Sequence, residues 1–112
     1  MTETRTRYKS LLDVLQDAGD LGERPESERR HDAGMWLRRL YQRTHRDLPI
    51  DQDRAQAELR DELAEDNTLY RRTMLAMGPE FGVLRTVCCA DRPARLSLLL
   101  RALDKLADWR GA

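Results

Sequence analysis

Apolar positions in this chain recur at helical spacing from end to end. Tyr8, Leu11, Leu12, Leu15 and Ala18 fall at i, i+3, i+4, i+7 and beyond, which predicts an amphipathic helix over about 5–18 that stops at Gly19. GDLGERPES then mixes Gly, Pro and charge, the chemistry of a loop, and offers Ser27 as the cap of the next helix. Ala33, Trp36, Leu37, Leu40, Tyr41 and Thr44 stripe that second helix over about 27–46, the most strongly patterned element. DLPID stops it before Pro49 and presents Asp51 as the cap of a third. Ala55, Leu59, Leu63, Leu69, Tyr70, Thr73, Met74 and Met77 carry the spacing over about 52–77 to Gly78-Pro79, with a kink or fresh cap expected at Asp66-Asn67-Thr68. Val83, Leu84, Val87 and Cys88 mark a short helix over about 80–89. After Asp91 and Pro93, residues Leu96, Leu99, Leu100, Leu103, Leu106 and Ala107 stripe a last helix over about 92–109. With no sustained period-two run, the pattern predicts an all-α chain: an antiparallel three-helix core with one or two additional C-terminal helices, in a single domain over 1–112. Trp36 is expected to lie buried between the first and third helices.

Composition changes this picture in two ways. At 112 residues, 40% hydrophobic and 36% charged, the chain suits one modest core. Twenty basic residues balance twenty acidic ones, so overall charge gives no general attraction to nucleic acid. The charges are nevertheless segregated. The second helix carries Arg29, Arg30, Arg38, Arg39, Arg43 and Arg46 against Glu28 and Asp32; in the third, Asp51, Asp53, Glu58, Asp61, Glu62, Glu65 and Asp66 outnumber Arg54 and Arg60. A hairpin of the two is expected to pair unlike charges across its rim, at about 0–1 kcal/mol per exposed pair, so burial must make the fold.

Candidate chemistry is sparse. Cys88 and Cys89 are adjacent, a spacing that strains a disulfide, and with only His31 and His45 besides there is neither C-x-x-C nor H-x-x-x-H. No metal and no cofactor are expected, and no glycine-rich phosphate loop surrounds Gly19 or Gly22. Catalysis through either thiol would need a base brought close by the fold, and the carboxylates of the third helix read as a solvated face, so an enzyme is not expected. No apolar run reaches the roughly 18 to 20 residues of a transmembrane helix. MTETRTRYKSLLDVLQDAG has no apolar signal core, so export is not expected; Arg5, Arg7 and Lys9 ahead of an amphipathic stripe echo a mitochondrial targeting helix, interrupted by Asp13 and Asp17.

RYKSLL, followed about 30 residues later by WLRRLYQRTHR, resembles the LYR-type mitochondrial helical proteins. It is most similar to their divergent relatives that assist assembly of respiratory complex III, the ubiquinol-cytochrome c reductase assembly factors also called mitochondrial nucleoid factor. In that comparison Tyr8-Lys9 stands where the family has Tyr-Arg and Arg7 replaces its Leu, while Leu37-Arg38 and Tyr41-x-Arg43 match the Arg-rich second element. The stretch Leu59 to Met74 also looks similar. Leu69-Tyr70-Arg71 lies mid-chain, where the family does not place its signature, and Tyr70 is expected in the core. The resemblance implies a non-enzymatic assembly factor or accessory subunit in the mitochondrial matrix or on the matrix face of the inner membrane. Its implied partners are respiratory-complex subunits or an acyl carrier protein, met through Tyr8, Lys9, Arg38, Arg39, Arg43 and Arg46. Read from the residues alone, the basic face of helix two is a solvated surface, a site for an acidic protein, or a site for nucleic acid. The rival reading is therefore a small helical regulator of the bacterial cytoplasm or of a phage, binding protein or nucleic acid through 27–46.

Overall fold

The computed structural model describes residues 9–45 and 53–111, with 53–60 described as backbone only. Among them there is no strand, and the chain is all-α. Ser10 has extended backbone angles (φ −67°, ψ 159°) and its Oγ accepts the Asp13 N–H at 3.2 Å, so α1 runs Leu11–Asp17. Lys9 and Ser10, expected inside the first helix, precede it. The Ser10-x-x-Asp13 spacing is a capping signal, and it places the boundary more sharply than the apolar stripe does. Tyr8, Arg46 and the expected cap Asp51 lie outside the described residues, as does the side chain of Leu59.

Gly19, with φ +81°, turns the chain out of α1, and the following loop buries Leu21 completely. The second helix, α2, spans Glu26–Thr44. Ser27, expected as its cap, sits buried inside the first turn, because the ring-restricted φ of Pro25 already leads helical backbone into Glu26. The third, α3, is unbroken from Asp53 to Met77. At the expected interruption Thr68 keeps its hydroxyl within the helix, donating to the Ala64 carbonyl at 2.9 Å. Gly78 (φ +61°) stops α3 and opens a 3₁₀ turn, Gly78–Glu80, that continues into α4, Phe81–Leu84, and a π turn, Arg85–Cys89. The last helix, α5, spans Leu96–Gly111 rather than starting near 92. Pro93 biases Arg92 away from helical backbone, so the chain stays out of the helix until Leu96.

Both neighbours of α2 in sequence run antiparallel to it. Asp13 and Ser10 of the α1 end meet His31 and Met35 in turn, and Tyr70 and Asp66 of α3 meet Tyr41 and Arg43. The C-terminal elements complete the core. Leu84, Val87, Cys88, Leu99, Leu103 and Leu106 cluster with Leu12, Leu21, Ala33 and Leu37, each fully buried Leu contributing about 1.5–3 kcal/mol. Trp36 is not the spacer between α1 and α3 that its stripe suggests. It is half-buried against α5, its ring centroid 6.4 Å from that of Trp109 and 5.1 Å from the Arg110 guanidinium. The crossing is closest at Gly34, where a Cβ would lie 2.5 Å from Leu12 Cδ1 and 3.2 Å from both Cys88 Sγ and Leu103 Cδ2. One turn to either side, Arg30 and Arg38 reach outward from the same face.

Gly34→Val should therefore overpack the junction of α1, α2, the π turn and α5, lowering stability in urea unfolding by about 2–3 kcal/mol. An unchanged midpoint would mean that the three side chains do not converge there.

Candidate partner-binding site

The arginines expected to form a basic face on α2 are mostly engaged internally. Arg29 pairs with Asp108; Arg30 forks onto Asp104 at 2.8 and 3.0 Å and donates to the Leu21 carbonyl at 2.6 Å. Arg38 donates to Asp91 Oδ1 at 2.7 Å and to the Cys88 carbonyl at 3.0 Å. Arg43 meets both carboxylate oxygens of Asp66 at 3.3 Å, the one α2–α3 ion pair whose partners are both identified among the described side chains. Ahead of α1, Lys9 pairs with Asp17. Arg39, exposed, is the one α2 arginine without an ion pair among the described residues. Lys9, Arg38, Arg39 and Arg43 thus do not gather into one open basic edge. Among the described side chains, the arginines of α2 meet the acids of α5 and Asp91 more often than those of α3.

Asp91 is the hinge of this arrangement. Its backbone is left-handed (φ +54°), unusual for a residue other than Gly and tolerated by Asp, and its Oδ1 accepts from both Arg38 and the Leu11 N–H at 3.0 Å. One carboxylate therefore joins the start of α1, the middle of α2 and the end of the π turn. The Arg38 guanidinium, and then the Leu11 amide, hold its pKa below the usual carboxylate value. In the same first turn of α1, His31 does the same for Asp13, with Nε2 at 2.7 Å from Oδ1.

Beside this clasp the π turn opens a notch of about 180 Å³ lined by Tyr41, Arg85, Thr86, Cys89, Ala90 and Arg92. The wide turn is closed by the Ala90 N–H donating to the Arg85 carbonyl, and by that of Arg92 donating to Thr86 at 2.9 Å. Its aromatic wall is braced from behind: Tyr41 stacks on His45 at 4.0 Å and contacts Tyr70, which meets Phe81 edge-on at 5.4 Å. Tyr70 is thus half-buried in a ring cluster. Arg85 and Arg92 are exposed and make no ion pair among the described residues. Burial pushes the Cys89 thiol up to about 11 and that of Cys88 higher still, against the lowering pull of Arg38, so both are protonated and poor nucleophiles near neutrality. Leu11, Leu15, Pro93, Leu96 and Leu99, with Asp20, line a second, mainly apolar cleft of about 110 Å³. Two guanidinium forks and a phenol can hold a carboxylate or other oxyanion. Among the described residues no His, Cys, Asp and Glu side chains group in a way that could hold a metal ion, and no helix is long and apolar enough to cross a membrane.

Periodicity alone did not single out Arg85 and Arg92. The signal present was RTVCCADRPAR, where three Arg stand against one Asp.

Because Asp91 and Asp13 titrate lower when folded than the ordinary 3.8, their stabilising contribution is complete above that value and is lost as pH falls through the folded pKa. Urea midpoints should accordingly fall as pH drops below 3.8, and fall less steeply in Asp91→Asn, which keeps a side chain that tolerates positive φ. Identical acid profiles for parent and variant would contradict the clasp.

No protein-family model matches the chain, and neither a curated protein nor a solved structure matches it, so the geometry of the notch carries the functional reading.

Proposed function

We propose that this chain is a non-enzymatic binding protein that holds an acidic segment of a protein partner in the notch between α2 and the π turn. The observation that carries the reading is that Arg85 and Arg92 line that notch beside Tyr41 without carboxylate partners among the described residues, in a chain whose α2 arginines are nearly all paired. Exposed guanidiniums on a braced aromatic wall favour a carboxylate-bearing ligand by bidentate hydrogen bonding. The biological setting we propose, assembly of a respiratory complex of the complex III type within mitochondria, rests on the resemblance of RYKSLL and WLRRLYQRTHR. The geometry of the notch does not depend on that setting. A nucleic-acid regulator is the weaker reading, because a helix that follows phosphates needs a row of free cations, and among the described arginines of α2 only Arg39 is free.

The test is fluorescence anisotropy with a labelled peptide of alternating Glu and Leu, a matched Lys and Leu peptide, and short RNA and DNA, each at several salt concentrations. The acidic peptide should bind, and the Arg85→Glu/Arg92→Glu double variant should lose at least tenfold in affinity with an unchanged melting temperature, since both side chains are exposed. Binding to nucleic acid alone, with a steep salt dependence, would transfer the function to the regulator. Full affinity of the double variant for the acidic peptide would remove the notch from the account.

A further inference from the structure

The outward face of α3 has no neighbour among the described residues. At about 100° per residue, Asp61, Ala64, Glu65, Thr68, Arg72 and Leu75 all lie within about 60° of the direction of Thr68. All six are exposed, and Leu75, at 78%, is the most exposed large apolar side chain among the described residues. None of the charged members is engaged in an ion pair among those residues. Acid and base are separated along this face, with Asp61 and Glu65 on the N-terminal side of Thr68 and Arg72 on the C-terminal side.

We infer that this face docks a second copy of the same chain, α3 against α3 and antiparallel, about a two-fold axis passing Thr68. The geometry selects that occupant. Arg72 stands about 6 Å to one side of Thr68 along the helix axis and Glu65 about 4.5 Å to the other, at nearly the same angle around it. Antiparallel pairing across the axis therefore sets each Arg72 against Glu65 of the other copy, twice over, as an isologous interface requires. It also seats each Leu75 over Ala64 and the stem of Asp61 of the other copy, while Thr68, small enough for close approach, meets its own equivalent. Parallel pairing would put Glu65 against Glu65 and Arg72 against Arg72 and is disfavoured by repulsion. The overlap, residues 61–75 of one helix pair, is shorter than the roughly 800 Å² per partner of a standard stable interface implies, so the dimer is weak and concentration-dependent.

Sedimentation equilibrium over a dilution series from low micromolar to near millimolar protein tests this. The parent should pass from monomer to dimer, and added salt should shift it back toward monomer. Arg72→Glu and Glu65→Arg should each weaken association by on the order of tenfold, and the two together should restore it, because the reversed pair is again complementary. None of these exposed substitutions should move the melting temperature. As an independent readout, Thr68→Cys should cross-link into a disulfide-bonded dimer under mild oxidation where the parent, with Cys88 buried and Cys89 half-buried, does not. A monomer at every concentration, failure of the double reversal to restore association, or absence of the Thr68→Cys cross-link would each overturn the inference.

Discussion

The fold turns on the absence of a side chain at Gly34. Because nothing projects there, Leu12 from α1, Cys88 from the π turn and Leu103 from α5 all reach the surface of α2 at one point. Four elements distant in sequence share that contact, so their mutual orientation is set by close packing rather than by any local propensity. Arg30 and Arg38 stand one turn before and one turn after. Their side chains are only 17% and 20% exposed, so their charges need partners, which arrive from α5 as Asp104 and from the segment ahead of α5 as Asp91. Partly desolvated pairs of this kind add little net stability against their desolvation cost. What they supply here is direction: each guanidinium has one carboxylate to meet, and each carboxylate fixes where its own segment lies.

A consequence runs from this packing to the binding surface. Sequence places the cationic density on α2, yet the fold pairs most of those cations with its own Asp108, Asp104, Asp91 and Asp66. Besides Arg39 and Arg72 on regular helices, two cations without acidic partners among the described residues stand where helical geometry is irregular. In the π turn and the left-handed Asp91 that follows it, Arg85 and Arg92 flank a notch backed by Tyr41. The irregular backbone is held by the same Arg38 that closes the core. The geometry of the proposed binding notch and core packing therefore share one set of interactions, and a lesion at Arg38 or Asp91 should reach both.

Much of the core was legible because burial leaves a periodic trace. Ala33, Leu37 and Leu40 in α2, and Leu99, Leu103, Leu106 and Ala107 in α5, are buried where the helical stripe places them. What escaped was not periodic. Leu21 is buried from within a loop that composition marks as exposed, and Gly34 interrupts no pattern although it permits the tightest contact. Asp91 looked like the punctuation before a helix; its carboxylate is instead committed to Leu11 and Arg38, 80 and 53 residues away, a relation that no window along the chain contains. The same limit governed the site. Arg38, Arg39 and Arg43 stand out as cations, but which are free depends on where Asp66 of α3 and Asp91 fall. The start of α1 is different, since the Ser10-x-x-Asp13 cap was visible and only the longer stripe obscured it.

The most direct measurement is nuclear magnetic resonance of the arginine side-chain groups, assigned by single substitution, with the acidic peptide titrated in. If α2's arginines are structural clasps and those of the π turn and the following segment do the binding, the Arg30 Nε–H should exchange slowly in the free protein, since it is bonded to Asp104 at 2.8 Å. It should stay unchanged through the titration, as should Arg38. Arg85 and Arg92 should exchange fast at first and then shift and gain protection as peptide is added. Peptide-induced shifts at Arg30 and Arg38 with silence at Arg85 and Arg92 would contradict the account.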